Sequence, residues 1–242
     1  MSKYLVWFRQ DLRISDNPAL VEALANADEV LAIYIHDEKS KNCREIGGAS
    51  KWFLHHSLNE LANKLKEKYN IDLLIKEGKS TDILDQVLAE SEVDNIVWNR
   101  LYEPYHIDRD KEIKTALEEK NINVKSFNGS LLAEPWEVKN GDGAFYKVYT
   151  PFAKKARKEL NPRNVLKEPD NENKAFLGKV ESLKLEDLKL LPTKPNWAKG
   201  FDEYFEVSEK TAQNMLYEFL DEAAENYADD RNMADKKGTS RL

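Results

Sequence analysis

The chain has 242 residues, 41% of them hydrophobic and 33% charged, which is enough for one α/β domain, a buried core and a further segment. Its formal net charge of −7 excludes a protein held to nucleic acid by bulk charge, because phosphate binding needs clustered Lys and Arg. A single cysteine, Cys43, excludes an internal disulfide and a cysteine-based zinc site, and no run of about 18 apolar residues could cross a membrane as a helix.

Arg9, Asp11 and Arg13 interrupt the one early apolar run, which argues against a signal peptide. The expectation is a cytoplasmic monomer that binds neither membrane nor metal.

Taken in chain order, short runs rich in Val, Ile and Leu predict strands at Tyr4–Phe8, Val30–His36, Asp72–Lys76, Asn95–Trp98 and Asn123–Phe127. None alternates strictly, as suits strands covered on both faces. Amphipathic stretches between them predict helices near 18–26, 48–69, 81–90 and 105–120. Asn17 ahead of Pro18 is a capping side chain followed by proline at the first helical position. Strands separated by single helices need right-handed crossovers, so the expected fold is a doubly wound, five-stranded parallel sheet.

After Phe127 the periodicity stops, and proline-containing stretches such as "EPWEV", "NPRN" and "LPTKPNW" replace it. This region is too long for an ordinary loop and suggests a wrapping linker with one short helix near 151–160. That helix carries the best local basic patch, Lys147, Lys154, Lys155, Arg157 and Lys158, which also suits a solvated face. Order resumes at Ser208, a helix cap, with an apolar stripe of Ala212, Met215, Leu216, Phe219, Leu220, Ala223 and Tyr227. The pattern divides the chain into an α/β domain (1–128), a linker (129–205) and a helical segment (206–242) that either docks on the α/β domain or begins a further part of a longer protein.

The loop after the first strand lies where open parallel sheets bind ligands, yet it holds Arg9, Gln10, Asp11, Arg13 and Asp16 and no glycine. No pyrophosphate can lie against such a backbone, and no Walker-type sequence occurs, so dinucleotide and P-loop chemistry drop out. Two meanings stand for the charged loop: an ion-pair cluster tying loop to helix, or the polar wall of a pocket. The second candidate edge is "VWNRLYEPYHIDRD", where Glu103 precedes Pro104, with Tyr105 and His106 at the next helix start. A lone His there reads as a solvated polar residue, and His55 and His56 as helix packing and exposure. No His/Asp/Glu set has ligand spacing, and no nucleophile motif is present.

"LVWFRQDLRISDNPAL" closely resembles the N-terminus of the photolyase/cryptochrome family, in which a strand runs into "FRxDLRxxDNPAL". "WNRLYEPY", "GAFYKVYTPFAKKA" and "YADDRNMADKKGTSRL" follow in the family's order, so the resemblance spans the whole chain. It implies an α/β domain able to hold an antenna chromophore, a wrapping linker and an all-helical domain that binds FAD. In a photolyase, light-excited reduced FAD donates an electron to a cyclobutane pyrimidine dimer flipped out of damaged DNA, the dimer splits, and the electron returns.

By resemblance, Tyr227, Thr239, Ser240, Arg241 and Leu242 fall where the family makes its first FAD contacts, and Arg231 matches an arginine near the DNA lesion. Arg9, Asp11, Glu103, Tyr105 and His106 would line the antenna pocket. "RNMA" stands in place of the commoner "RDFP"-like segment. Folate-binding members carry Asn-Glu where this chain has Tyr105 and His106, and deazaflavin-binding members often carry Asp where it has Leu101. The resemblance implies an antenna chromophore of methenyltetrahydrofolate or deazaflavin type, and this chain departs from the signature of each. The similarity of "FRQDLR" and "GTSRL" to bacterial dimer photolyases of class I favours repair. A cryptochrome-type photoreceptor and a stand-alone chromophore-binding module are the alternatives. The expectation is the front half of a longer protein, which by itself binds no stoichiometric FAD.

Overall fold

Each apolar run becomes a strand and each amphipathic run a helix, in strict alternation: β1 (Lys3–Phe8), α1 (Pro18–Asn26), β2 (Glu29–His36), α2 (Gly48–Tyr69), β3 (Leu73–Glu77), α3 (Ser80–Ser91), β4 (Asn95–Asn99), α4 (Pro104–Glu119) and β5 (Asn123–Phe127). The computed structural model describes residues 1–40, 44–170, 180–236, 238 and 239. The strands form one sheet in the order β3-β2-β1-β4-β5, every pair parallel, which is the doubly wound arrangement the sequence predicts.

Register places Trp7 beside Ile33 on one side and Trp98 on the other. Because side chains alternate across a strand, Leu5 and Trp7 share one face, where Leu31, Ile33, Ile96, Trp98 and Val124 meet Leu84 and Val87 of α3 and Ile113 and Leu117 of α4. Tyr4, Val6 and Phe8 turn to the other face, buried, as are Ala19, Leu20, Ala23 and Leu24 of α1. α1 starts as its sequence dictates, with Asn17 Oδ1 accepting the Leu20 N–H at 3.2 Å and Pro18 opening the helix. Between β1 and β4 the order reverses, and the loops leaving these strands diverge to form the crevice of an α/β sheet.

Beyond Phe127 no strand occurs among the described residues, and α5 (Tyr149–Glu159) is the one long helix before residue 185. The chain nevertheless returns to the sheet. Val180 is buried in the core cluster, Leu183 N–H donates to the Ile75 carbonyl at 2.9 Å, and Ser182 Oγ accepts the Ile75 N–H at 2.9 Å. These contacts cover the outer edge of β3.

Residues 1–44 and 64–184 form one compact unit, and residues 45–63 and 185–242 a second. In the second unit, Phe201 packs edge-on against Trp52 (5.3 Å between ring centroids), Trp197 (5.6 Å) and Phe205 (5.8 Å). Ser208 caps α6 (Glu209–Glu218) by accepting the Thr211 N–H at 3.0 Å. The single continuous helix expected there does not form. α6 gives way to a π turn at Phe219–Ala223 and then to a short α7 (Tyr227–Asp230), with Asn226 outside the helical region at φ −101, ψ 10. An asparagine that can satisfy its own backbone locally is a natural place for that break.

Candidate functional site

The crevice between β1 and β4 is filled by its own side chains. Arg9, the first residue past β1, is buried at 6% exposure. Its Nη1 donates to Asp110 Oδ2 at 2.5 Å, and its Nη2 to the carbonyl of Asn99, the last residue of β4. Its guanidinium lies 4.9 Å from the Trp7 ring centroid, and that of Arg109 lies 5.0 Å from it. Trp7 in turn meets Trp98 edge-on at 5.6 Å. Two cations this close to the same indole ring repel each other. Asp110 resolves the conflict by also accepting Arg109 Nη2 at 2.9 Å and Nε at 3.2 Å. Burial pushes the Arg9 pKa down, the neighbouring Asp110 pulls it back, and a guanidinium stays charged throughout.

Asn99 is the hub on the opposite side. Its Nδ2 donates to Asp11 Oδ2 at 2.5 Å and to Asn17 Oδ1 at 2.8 Å, while its Oδ1 accepts the Ala19 N–H at 3.3 Å. Asp11 Oδ1 accepts the Arg9 N–H at 2.9 Å, closing the turn after β1. Gly129 lies so close that a Cβ there would stand 2.8 Å from both Cβ and Cγ of Asn99. Since Asn99 is pinned by three partners, it cannot retreat. Gly129→Ala is therefore expected to destabilise the sheet by about 1–3 kcal/mol, read as a lower urea midpoint by tryptophan fluorescence; an unchanged midpoint would mean the loop yields freely.

The cluster continues to α3. Arg109 Nη1 lies 4.0 Å from Asp37 Oδ2, which accepts the Ser80 N–H at 2.9 Å and the Ser80 hydroxyl at 2.6 Å. Burial raises the Asp37 pKa, but hydrogen bonds from Ser40 and Ser80 outweigh it, and the carboxylate sits below its usual range. With Lys79 at the N-cap and no side-chain cap, Asp37 satisfies the start of α3 from the neighbouring loop.

The structure brings some of the candidate antenna residues together and separates others. Arg9 and Asp11 lie at the carboxyl edge of the sheet as expected, and an arginine–carboxylate pair crosses the crevice. The partner is Asp110 on α4, not Glu103, which is exposed at the N-cap of that helix. Arg13 bonds to carbonyls, at Ser15, Asp16 and Gly129. Tyr105 is half-buried and stacks on His106 at 3.8 Å between centroids.

His106, expected in solvent, is 6% exposed, and neither ring nitrogen has a hydrogen-bond partner. The overlooked signal is the spacing His106, Asp110, Ile113, Leu117, which is the inward stripe of α4 and carries both missed residues.

In the second unit the Tyr227 ring is half-buried. It packs edge-on against Phe219 at 5.5 Å and lies under the Arg231 guanidinium at 5.6 Å. Gly238 is buried, and a Cβ there would stand 2.5 Å from the backbone of Asp230, so only glycine lets the chain fold back onto the end of α7. Thr239 follows, exposed. Ser240, Arg241 and Leu242 lie outside the described residues. Among the described residues no group of three or more His, Cys, Asp or Glu could hold a metal, and no helix is long and apolar enough to cross a membrane.

A sequence model of the family described as DNA photolyase matches residues 4–172. A deoxyribodipyrimidine photo-lyase of Agrobacterium fabrum is 38% identical over 238 residues, 98% of this chain and 49% of that protein. Cryptochrome-2 of Arabidopsis thaliana is 35% identical over 153 residues, 63% of this chain and 25% of that protein. The crystal structure of a bacterial class III photolyase from Agrobacterium tumefaciens superposes with a TM-score of 0.91 at 37% identity, covering 100% of this chain and 49% of that one. The chain thus spans about half the length of the photolyases it matches.

Proposed function

The chain belongs to the DNA photolyase family, and on that premise we propose that it forms the N-terminal part of a deoxyribodipyrimidine photolyase. Together with the half that its relatives carry beyond it, it would use FAD and light to repair cyclobutane pyrimidine dimers in damaged DNA. Residues 206–242 would begin the helical flavin domain. The observation that carries repair over signalling is collinear similarity to a photolyase over 98% of the chain, against 63% for a cryptochrome. The structural neighbour is of class III whereas the motifs resemble class I, a difference of subfamily that leaves the family unchanged.

Bound FAD would supply the photoexcited electron. This chain's share is to hold it. Tyr227, fixed between Phe219 and Arg231, offers a ring face and a hydroxyl, and the glycine-only approach of Gly238 to α7 supports a phosphate-facing role for Thr239 and the residues after it. Arg231, exposed at the end of α7, is the candidate DNA contact. A polyanionic partner is further supported by the stretch from Gly143 to Lys158, which holds no acidic residue in a chain with 44 of them.

The antenna reading is carried by the rim of the crevice, since its depth is occupied. Arg9, Asp11 and Asn99 are bonded to one another, so the residues that would hold a planar methenyltetrahydrofolate or deazaflavin ring are Tyr105 and His106, with exposed Glu103 as the polar group beside them.

The test is made on the complete, FAD-loaded and reduced protein with an oligonucleotide carrying one thymine dimer. Restoration of the intact strand under blue or near-ultraviolet light, absent in darkness, is expected. Equal yields in light and darkness with flavin bound would leave the photoreceptor reading.

A further inference from the structure

The four residues Arg13 to Asp16 grip the chain at two places far apart in sequence. Arg13 Nη2 donates to the Gly129 carbonyl at 2.6 Å, just past β5. Asp16 Oδ1 accepts Arg163 Nη1 at 2.5 Å and the Leu166 N–H at 2.9 Å, and Ser15 Oγ donates to Glu168 Oε1 at 2.5 Å. Glu168 also pairs with Lys68 at the end of α2, and the Tyr69 hydroxyl reaches the Pro169 carbonyl at 3.4 Å. Residues 130–162, with α5 among them, therefore run out past Gly129 and come back to the same short loop, tied near their start by buried Glu134, which accepts Arg100 Nε at 3.1 Å.

That loop is set for the task. Asp16 stands at φ 47, in the left-handed region that aspartate tolerates better than most residues. Arg13 holds it there, with Nε on the Ser15 carbonyl at 3.1 Å and Nη2 on the Asp16 carbonyl at 3.1 Å. Left-handed backbone at Asp16 lets its carboxylate reach out to the returning chain while its carbonyl faces back to Arg13.

The enclosed segment has little core of its own. Ala156 is the one buried residue of α5, while Phe145, Tyr149 and Phe152 are exposed. Past Glu134 and the buried Val138 few residues are buried, and such segments open at low cost, so the returning anchor decides the position of α5. The ends differ in strength. The Gly129 end is wedged against the buried hub Asn99. At the returning end, Asp16 and Arg163 are 33% and 42% exposed, and such pairs are individually weak.

We propose that Arg13–Asp16 is a clasp that closes residues 130–162 into a loop and opens at its Asp16–Arg163 end without unfolding the sheet. Opening would free the exposed α5 surface to move while its entry at Gly129 stays fixed. This is independent of the flavin and DNA reading.

Hydrogen exchange by mass spectrometry on the 242-residue chain tests it. The variants are Asp16→Asn with Arg163→Gln, in which asparagine keeps the left-handed backbone, and separately Ser15→Ala with Glu168→Gln. Amides of residues 160–169 should exchange about tenfold faster in either variant, with β1 to β5 unchanged. Unaltered exchange in 160–169 in both variants would overturn the clasp. So would equal acceleration across the strands, because the contacts would then belong to the core.

Discussion

Arg9→Ala is expected to destabilise the α/β unit by about 3–5 kcal/mol, the largest loss from any single side chain outside the apolar core. The side chains of Arg9 and Asp110 are 5% and 13% exposed, so neither is well screened by water. Removing the guanidinium strips Asp110 of its 2.5 Å partner, leaves the Asn99 carbonyl without its donor, and opens a void over Trp7. Arg109 still bonds to Asp110, which keeps the loss toward the lower end.

A paired control separates charge from packing. Arg9→Met with Asp110→Leu and Arg109→Met removes the whole buried cluster around Asp110 and keeps the volume, and replacing buried ions by apolar residues is often neutral or better. The triple variant should recover most of what Arg9→Ala loses. Urea unfolding followed by tryptophan fluorescence and circular dichroism measures both. A loss under about 1 kcal/mol for Arg9→Ala would mean that the pair behaves like a surface ion pair.

Acidification is expected to act through His106. Burial is the main cause that pushes its pKa down to about 4, reinforced by Arg109 and Arg9 and opposed by Glu103 and Asp110. The unfolded chain takes up a proton near pH 6.5 and the folded chain resists until about 4, so between these values the unfolded state binds more protons. The His106 contribution is therefore constant above pH 6.5, falls as pH drops toward 4, and then levels off, a loss on the order of 3 kcal/mol. His106→Phe, which keeps a ring on Tyr105 and has no nitrogen to leave unpartnered, should remove most of that slope, the remainder belonging to His55, whose pKa burial also lowers. Asp37 acts in a different window, because its depressed pKa contributes stability that is lost only below the ordinary aspartate value. Parallel pH profiles for the parent and His106→Phe between pH 4 and 6.5 would sink the assignment.

Both predictions turn on residues the sequence displayed without revealing. The sheet was legible because strand and helix periods differ, and because Asn17–Pro18 and Glu103–Pro104 mark helix starts in plain chemistry. That the charges of the β1 loop could tie loop to helix through an ion pair was legible too. Which carboxylate was not, since Glu103, Asp108, Asp110 and Glu112 lie within ten residues and only the rotation of α4 about its axis chooses among them. The same rotation buries His106. The break at Asn226 was hidden for another reason: the apolar stripe through Tyr227 is intact in sequence, and local backbone competition interrupts it. The candidate flavin and antenna residues became visible only through resemblance, since single tyrosines, threonines and histidines carry no spacing of their own.

The return of Ser182 and Leu183 to β3 bears on where this domain can be cut. The family match ends at residue 172, ahead of Val180 and of the two contacts that shield the outer strand. A polypeptide stopped at that boundary would lose a core side chain and present the N–H and C=O of Ile75 bare. Such a rim recruits a strand from another molecule, and self-association through it would follow from trimming alone, with every residue of the sheet intact.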